Sequence, residues 1–186
     1  MIARRRLTGG LLLTFLGSPA WAYPTTSAED TRAALDAALP QHRLIGKGRL
    51  AVWGFEVYDA RLWALPGFKP ENLTDEPFAL ELAYLRDFKS KDIAERSITE
   101  MRRSAVISKD QAKTWTSEIS SLIPDIKKGD RVMGLHRPGM GAQLLVNGKA
   151  SGDIRDTEFA RLFFGIWLSP KTSQPRVRAA LLAGAN

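Results

Sequence analysis

The chain has 186 residues, of which 44% are hydrophobic and 25% are charged, and its formal net charge is +7. This length fits one domain, and these proportions are typical of a globular protein rather than a disordered one. The absence of cysteine excludes disulfides, thiolate metal sites, iron–sulfur clusters and cysteine nucleophiles. The two histidines leave almost no material for a transition-metal site, and no cofactor is expected.

Residues 1–22 have the layout of a secretory signal peptide. Three arginines, Arg4–Arg6, precede a short apolar run, and Ala20-Trp21-Ala22 supplies a small-x-small cleavage pattern. The run is far shorter than the ~20 residues that span a bilayer. We therefore predict cleavage after Ala22 and a periplasmic location, with Sec and twin-arginine export both open. The alternative is a buried N-terminal helix.

Removal of these three arginines would lower the formal net charge of the mature domain, residues 23–186, from +7 to +4. The remaining basic residues are scattered, and they pair only locally, as at Arg102-Arg103 and Lys127-Lys128. A nucleic-acid interface requires a basic stripe with aromatic residues, so no nucleic-acid partner is expected. No second apolar stretch is long enough to be a transmembrane segment, and the sequence leaves the oligomeric state open.

Hydrophobic periodicity and breaker residues predict five segments in the first half of the mature chain. They are a helix over Ser27–Leu39, strands over Leu44–Trp53 and Phe55–Trp63 joined at Gly54 by a kink or bulge, a loop over Leu65–Pro77 and a strand over Phe78–Arg86. Alternation in the last strand places Phe78, Leu80, Leu82 and Tyr84 on one face.

The second half contains more helix. The predicted segments are helices over Lys91–Arg103 and Ser108–Leu122, strands over Arg131–Arg137, Ala142–Val146 and Lys149–Gly152, and helices over Asp156–Leu168 and Arg176–Ala183. Ser108 and Asp156 are predicted N-caps, and Asn147-Gly148 is a strong hairpin signal. This order predicts an α+β fold, a mainly antiparallel sheet with helices segregated to one side.

Few residues are candidates for a catalytic or binding site. His136 is interpreted as a structural histidine, and no paired-carboxylate site is expected from Asp153 and Asp156, because Asp156 caps a helix. Arg49 and Tyr58 lie on neighbouring predicted strands, and together they offer a planar cation and a hydroxyl to an anionic ligand. The alternative is that Arg49 pairs with a local acid, Glu56 or Asp59, while Tyr58 packs in the core.

The segments Gly46-Lys47-Gly48-Arg49 and Glu56-Val57-Tyr58, with the closing stretch Phe163–Leu182, resemble the chalcone isomerase-like family. Supporting segments extend the resemblance over about Leu44 to Leu182, and it is greatest for bacterial exported members. It implies an open-faced sheet covered on one side by helices, with a cleft between them. In the plant enzyme that cleft cyclises chalcones, using an arginine together with Tyr, Asn and Thr side chains.

Arg49 best matches the family arginine, whereas the other catalytic positions do not match. Residues 85–103 contain neither Tyr nor Asn, the helix over Asp156–Leu168 has only Thr157, and Trp53 and Phe55 stand before Val57 where a Thr is wanted. Relatives without those residues bind fatty acids, holding the carboxylate with Arg and Tyr.

The resemblance therefore implies no catalysis and a ligand held by Arg49 and Tyr58. The leading hypothesis is a periplasmic, non-catalytic protein that binds an apolar anionic small molecule such as a fatty acid. The alternatives are an isomerase or intramolecular lyase acting on a phenolic or enone substrate, and a protein-interaction module whose cleft is filled. Four aromatic residues of the last large helix would either line the cleft or fill it: Phe159, Phe163, Phe164 and Trp167.

Overall fold

The computed structural model describes residues 27–185, so the predicted signal peptide lies outside the described residues. Six strands form one antiparallel sheet in chain order. They are β1 (Arg43–Val52), β2 (Phe55–Ala64), β3 (Phe78–Tyr84), β4 (Arg131–Arg137), β5 (Gly141–Val146) and β6 (Lys149–Ile154). Every neighbouring pair is antiparallel, which confirms the predicted kind of sheet.

Five α-helices and one short 3₁₀ helix complete the fold. The α-helices are α1 (Ser27–Ala38), α2 (Ser90–Met101), α3 (Lys109–Leu122), α4 (Thr157–Leu168) and α5 (Pro175–Leu181). The 3₁₀ helix, Pro70–Asn72, lies within the stretch predicted to be a loop. The α+β class is confirmed. Within residues 27–185, no helix is long and apolar enough to cross a membrane.

The predicted caps form as expected. The side chain of Ser108 accepts a hydrogen bond from the backbone N–H of Gln111, and the Gln111 side chain accepts one from the Ser108 backbone. The Asp156 carboxylate accepts from the backbone N–H of Phe159 at 2.9 Å. Both caps satisfy donors that the first turn of a helix leaves without partners, which explains why α3 and α4 begin where the sequence predicts.

The connection between β1 and β2 differs from the prediction. Val52 pairs with Phe55, so Trp53 and Gly54 form a two-residue hairpin turn, and Gly54 is not a kink in a strand. Both residues have positive φ, 50° and 82°, as a type I′ turn requires. The irregularities in the β1–β2 ladder lie elsewhere, between Leu44 and Gly46 and between Leu50 and Ala51.

Most helices cover one face of the sheet, which we call the covered face. The main core lies between this face and α2 to α5, and includes alternate residues of β2 and β3 such as Leu62, Leu80 and Leu82, together with Phe159 and Leu162 of α4. Alternation within each strand sends every second side chain to this core.

The opposite face, the second face, carries α1. Leu35 of α1 and Leu39, just after its end, pack on Ala79, Met133 and Leu135 in a separate cluster. The sequence-based expectation of helices on one side therefore holds for α2 to α5, while α1 covers part of the second face.

Helix α5 lies against the edge strand β1. Gly46 permits this close approach, because the carbonyl oxygens of Ala180 and Leu181 occupy the place where a Cβ at this position would lie. After α5, the backbone N–H of Gly184 donates to the carbonyl oxygen of Ile45 at 2.9 Å. The C-terminal segment is thus tied to β1 just after α5.

Candidate functional site

Arg49 lies on the second face, in the middle of β1, directly opposite Asp59 of β2. Its Nε and Nη2 donate to the two carboxylate oxygens of Asp59 at 2.6 and 2.9 Å, and its Nη1 donates to Glu56. Hydrogen bonds to Asp59 and Glu56 raise the pKa of Arg49, and the bond from Arg49 lowers the pKa of Asp59. The guanidinium therefore already has two carboxylate partners.

Tyr58 is the neighbour of Asp59 in sequence and points to the covered face. Its side chain is buried, and its hydroxyl accepts a hydrogen bond of 2.8 Å from Nε1 of Trp167. Burial raises the pKa of Tyr58 to about 12, against the opposing effect of the Trp167 hydrogen bond. The hydroxyl is therefore neutral near pH 7.

The structure does not bring Arg49 and Tyr58 together, so the expected meeting of guanidinium and hydroxyl in one cleft is wrong. Successive residues of a strand point to opposite faces. Because Tyr58 pairs with Leu50 rather than with Arg49, the two side chains belong to different faces. The alternative in which Arg49 pairs with Glu56 or Asp59 and Tyr58 packs describes the observed contacts. Whether either residue touches a ligand stays a prediction.

The region around Tyr58, which we call the closed end of the covered face, is tightly packed. The rings of Tyr58 and Tyr84 meet edge to face with centroids 5.9 Å apart, and burial raises the pKa of Tyr84 as well. Glu100 of α2 lies near enough to raise the pKa of Tyr58, and Arg96 binds this carboxylate at 2.5 Å. This end holds a polar network inside a filled core.

The opposite end of the same face opens into a pocket of about 390 Å³, which we call the α4 pocket. It lies between α4, the start of α5 and the 70–74 segment. Its walls are mainly apolar, and include Leu73, Phe78, Ala160, Phe164 and Leu168. A small-molecule site requires roughly 300 Å³ or more, so this pocket is large enough for a ligand.

Polar groups lie among these walls. Arg161 is half exposed, and its guanidinium is 3.8 Å from Glu158, a loose ion pair. The Nε of Arg178 donates to the backbone oxygen of Leu168 at 2.8 Å. Arg161 also lines an adjoining pocket of about 320 Å³, so its cation lies between two cavities.

His136 lines both pockets and is itself buried. Its Nδ1 lies 2.8 Å from the backbone oxygen of Glu76, and since a carbonyl only accepts, this nitrogen carries a proton. The ring stacks on Phe78 with centroids 4.8 Å apart. Burial lowers the pKa of His136, so the ring is neutral near pH 7. The interpretation as a satisfied structural histidine agrees with these contacts.

Some aromatic residues of α4 fill the core, and one also lines the pocket. Phe159, Phe163 and Trp167 are buried in the core and fill it, whereas Phe164 also forms part of the α4 pocket wall. A Cβ at Gly134 of β4 would lie 2.9 Å from the Phe164 ring, so the absence of a side chain at Gly134 lets this ring lie close to the sheet.

Apart from Phe164, the sequence-based reasoning did not identify residues that line the pocket. The 70–74 segment was predicted only as part of a loop, and Arg161 and Arg178 lack any motif that marks them. One signal was present: Arg161 interrupts an otherwise apolar stretch of α4. Within residues 27–185, no group of three or more potential metal ligands lies together.

The chain belongs to the chalcone isomerase-like family, whose model matches residues 29–183. It is similar to an uncharacterized protein of Haemophilus influenzae, with 27% identity over 131 residues that cover 70% of this chain and 63% of that protein. The chain thus spans less than two thirds of this relative's length.

A solved structure shares the fold. It is an Arabidopsis thaliana fatty-acid binding protein, with a TM-score of 0.61 and 12% sequence identity, covering 78% of this chain and 89% of the plant chain. At this identity the likeness concerns the fold, and this result confirms the chalcone isomerase-like fold that the sequence motifs indicated.

Proposed function

We propose that the protein is an exported, non-catalytic binder of an apolar anionic small molecule such as a fatty acid, and that the α4 pocket is its site. The observation that carries this proposal is an apolar cavity of about 390 Å³ with Arg161 and Arg178 among its lining residues. Apolar walls with a few placed polar groups are typical of small-molecule sites. The fatty-acid binding protein of the same fold supports this ligand class.

Arg161 is the better candidate for holding the anionic head of the ligand. Arg178 is already committed to the carbonyl oxygen of Leu168, whereas the contact between Arg161 and Glu158 is long. A carboxylate can therefore take Arg161 without breaking a short ion pair, while the tail lies along Phe164 and Leu168. The periplasmic location is part of the proposal and rests on the sequence pattern of residues 1–22.

The α4 pocket can be blocked without disturbing the core. A Cβ at Gly165, which lines the pocket, would have only the Cβ of Ser169 within 4 Å, at 3.6 Å. Gly165→Leu should therefore fold, fill the pocket and abolish palmitate binding in a fluorescence or calorimetric titration. Gly165→Ala is the matched control, because it also replaces the helical glycine but leaves most of the cavity open. This variant should still bind palmitate.

Three further variants locate the ligand. Arg161→Gln should weaken palmitate binding by up to about fivefold, the range of a partly exposed charge pair, whereas Tyr58→Phe and Arg49→Ala should leave it unchanged. Loss of binding in Tyr58→Phe with retention in Gly165→Leu would place the ligand at the closed end instead. If the wild-type protein binds no palmitate and native mass spectrometry finds no co-purified lipid, the proposal is wrong. The protein-interaction alternative is then favoured.

We expect no chalcone cyclisation above background. The hydroxyl of Tyr58 is engaged by Trp167 in a packed core, and loss of one donor to a developing oxyanion already costs about 10²–10³ in rate. A saturable rate in the purified protein would favour the isomerase alternative.

A further inference from the structure

The turn between β1 and β2 presents an unusual group of exposed apolar residues, which we call the hairpin tip. Trp53 is 94% exposed, its neighbour Phe55 is 60% exposed, and Val52 is 39% exposed. A Cβ at Gly54 would have no atom within 4 Å, so the tip projects away from the rest of the domain. These side chains contribute little to the core.

The backbone at Trp53 makes this exposure more informative. Type I′ turns favour Asn-Gly, because both central residues take positive φ, and this protein has such a turn at Asn147-Gly148 with φ of 50° and 78°. The β1–β2 turn has nearly the same angles, but Trp53 stands in the Asn position with φ of 50°. A bulky side chain is disfavoured at this φ. Because Trp53 makes almost no packing contacts, it does not offset this strain by stabilising the fold. Strain kept without a structural benefit points to function.

A cation accompanies the aromatic residues of the tip. The guanidinium of Arg86 lies 4.9 Å from the centroid of the Phe55 ring. Its side chain is exposed, and none of the ion pairs formed among residues 27–185 involves it. The tip therefore combines an apolar end with one arginine available to an anion.

We propose that the hairpin tip docks the protein on a phospholipid surface that contains anionic lipids. Trp and other aromatic rings favour the boundary between headgroups and acyl chains, and a guanidinium can bind a lipid phosphate with two parallel hydrogen bonds. The two exposed rings offer on the order of 350 Å², less than half of the roughly 800 Å² that each partner gives to an ordinary protein interface. Shallow insertion into a bilayer needs no such area.

Vesicle co-sedimentation tests this inference with the Trp53→Asn variant. Asn restores the preferred turn sequence, so the variant should melt at the same temperature as the wild type or higher, yet lose affinity by about tenfold or more for vesicles of equal parts phosphatidylcholine and phosphatidylglycerol. Val106→Ser is the matched control, because Val106 is 98% exposed but lies outside the tip, and its binding should be unchanged.

Two further measurements separate the contributions of the tip. Emission from Trp53, taken as the difference between wild type and Trp53→Asn, should shift to shorter wavelength when vesicles are added. Arg86→Gln should weaken binding to the mixed vesicles while leaving the weak binding to pure phosphatidylcholine unchanged. Added salt should likewise weaken binding of the wild type to the mixed vesicles.

The inference is independent of the α4 pocket, so Trp53→Asn should still bind palmitate. Equal vesicle binding by wild type and Trp53→Asn, or unshifted Trp53 emission, would overturn it. A protein complex that requires Trp53, formed in the absence of any vesicle binding by the wild type, would also overturn it and assign the tip to a protein partner.

Discussion

The two ends of the covered face show how one helix can both close a core and open a pocket. Trp167 and Phe164 lie one turn apart on α4, and both are buried against the sheet. At the closed end Trp167 reaches Tyr58, and the rings of Tyr58 and Tyr84 fill the remaining space. At the other end Phe164 lies over Gly134 and leaves a cavity. Whether the space beneath α4 is filled or left as a pocket therefore depends on the strand side chains that face the helix.

Truncation of the two aromatic residues should separate the ends most clearly. Trp167→Ala leaves a sealed void and a tyrosine hydroxyl without its donor, so we expect it to lower the free energy of unfolding by about 3–5 kcal/mol. Phe164→Ala should cost less, because its void joins the α4 pocket and can take up water. Urea unfolding of both variants measures the difference, and equal losses would show that the two ends are packed alike.

Tyr58→Phe tests the polar network of the closed end alone. It keeps the ring but removes the acceptor of the Trp167 N–H, and a buried unsatisfied donor costs about 1–3 kcal/mol. With Trp167→Phe added, the total loss should be smaller than the sum of the two single losses, because no donor is then left unpaired. A double-mutant cycle by chemical denaturation gives the coupling, and additive losses would contradict the hydrogen bond.

The pH dependence of stability should report on His136 at the open end. Burial lowers the pKa of His136 in the folded state below its unfolded value of about 6.5, so the unfolded chain binds more protons in the interval between the two. The contribution of His136 to the free energy of unfolding should therefore be constant above about pH 6.5. It should fall as the pH decreases below that value, by at most about 1.4 kcal/mol per pH unit. His136→Phe should flatten this part of the profile in thermal melts.

The smallest effect should come from Arg49→Ala, which alters neither end of the covered face. The side chain of Arg49 is about half exposed on the second face, where solvent screens its ion pairs. Its removal should destabilise the protein less than Tyr58→Phe does. A larger loss in thermal melts would show that the pairs with Asp59 and Glu56 hold β1 to β2.

Much of the fold could be predicted because the relevant signals are local. Alternation in β3, the Asn147-Gly148 turn and the caps at Ser108 and Asp156 each depend on a few adjacent residues, and all of them are found in the structure. The strand ends shifted by one or two residues, as at Trp53, which belongs to the turn rather than to β1. Its aromatic side chain favours a strand, but Gly54 accepts without strain the positive φ that a two-residue hairpin turn requires, and the turn forms here.

The candidate site was less accessible to sequence-based reasoning, because it depends on which face each side chain occupies. The register shift between Leu50 and Ala51 in the β1–β2 ladder placed Leu50, not Arg49, opposite Tyr58, and this separated the predicted pair. The α4 pocket joins residues from β3, β4, α4, α5 and the 70–74 segment, and no spacing in the chain relates them. The place of α1 on the second face was equally a matter of tertiary packing.

The position of α5 beside Gly46 has a consequence for solubility. An exposed edge strand offers unpaired backbone groups to other chains and is a template for aggregation. β1 is such an edge, and ten residues is long for one. α5 packs over the covered face of β1 at Gly46, and the Gly184 N–H takes up the backbone oxygen of Ile45, so the C-terminal segment hinders strand addition by a second molecule at this end of β1.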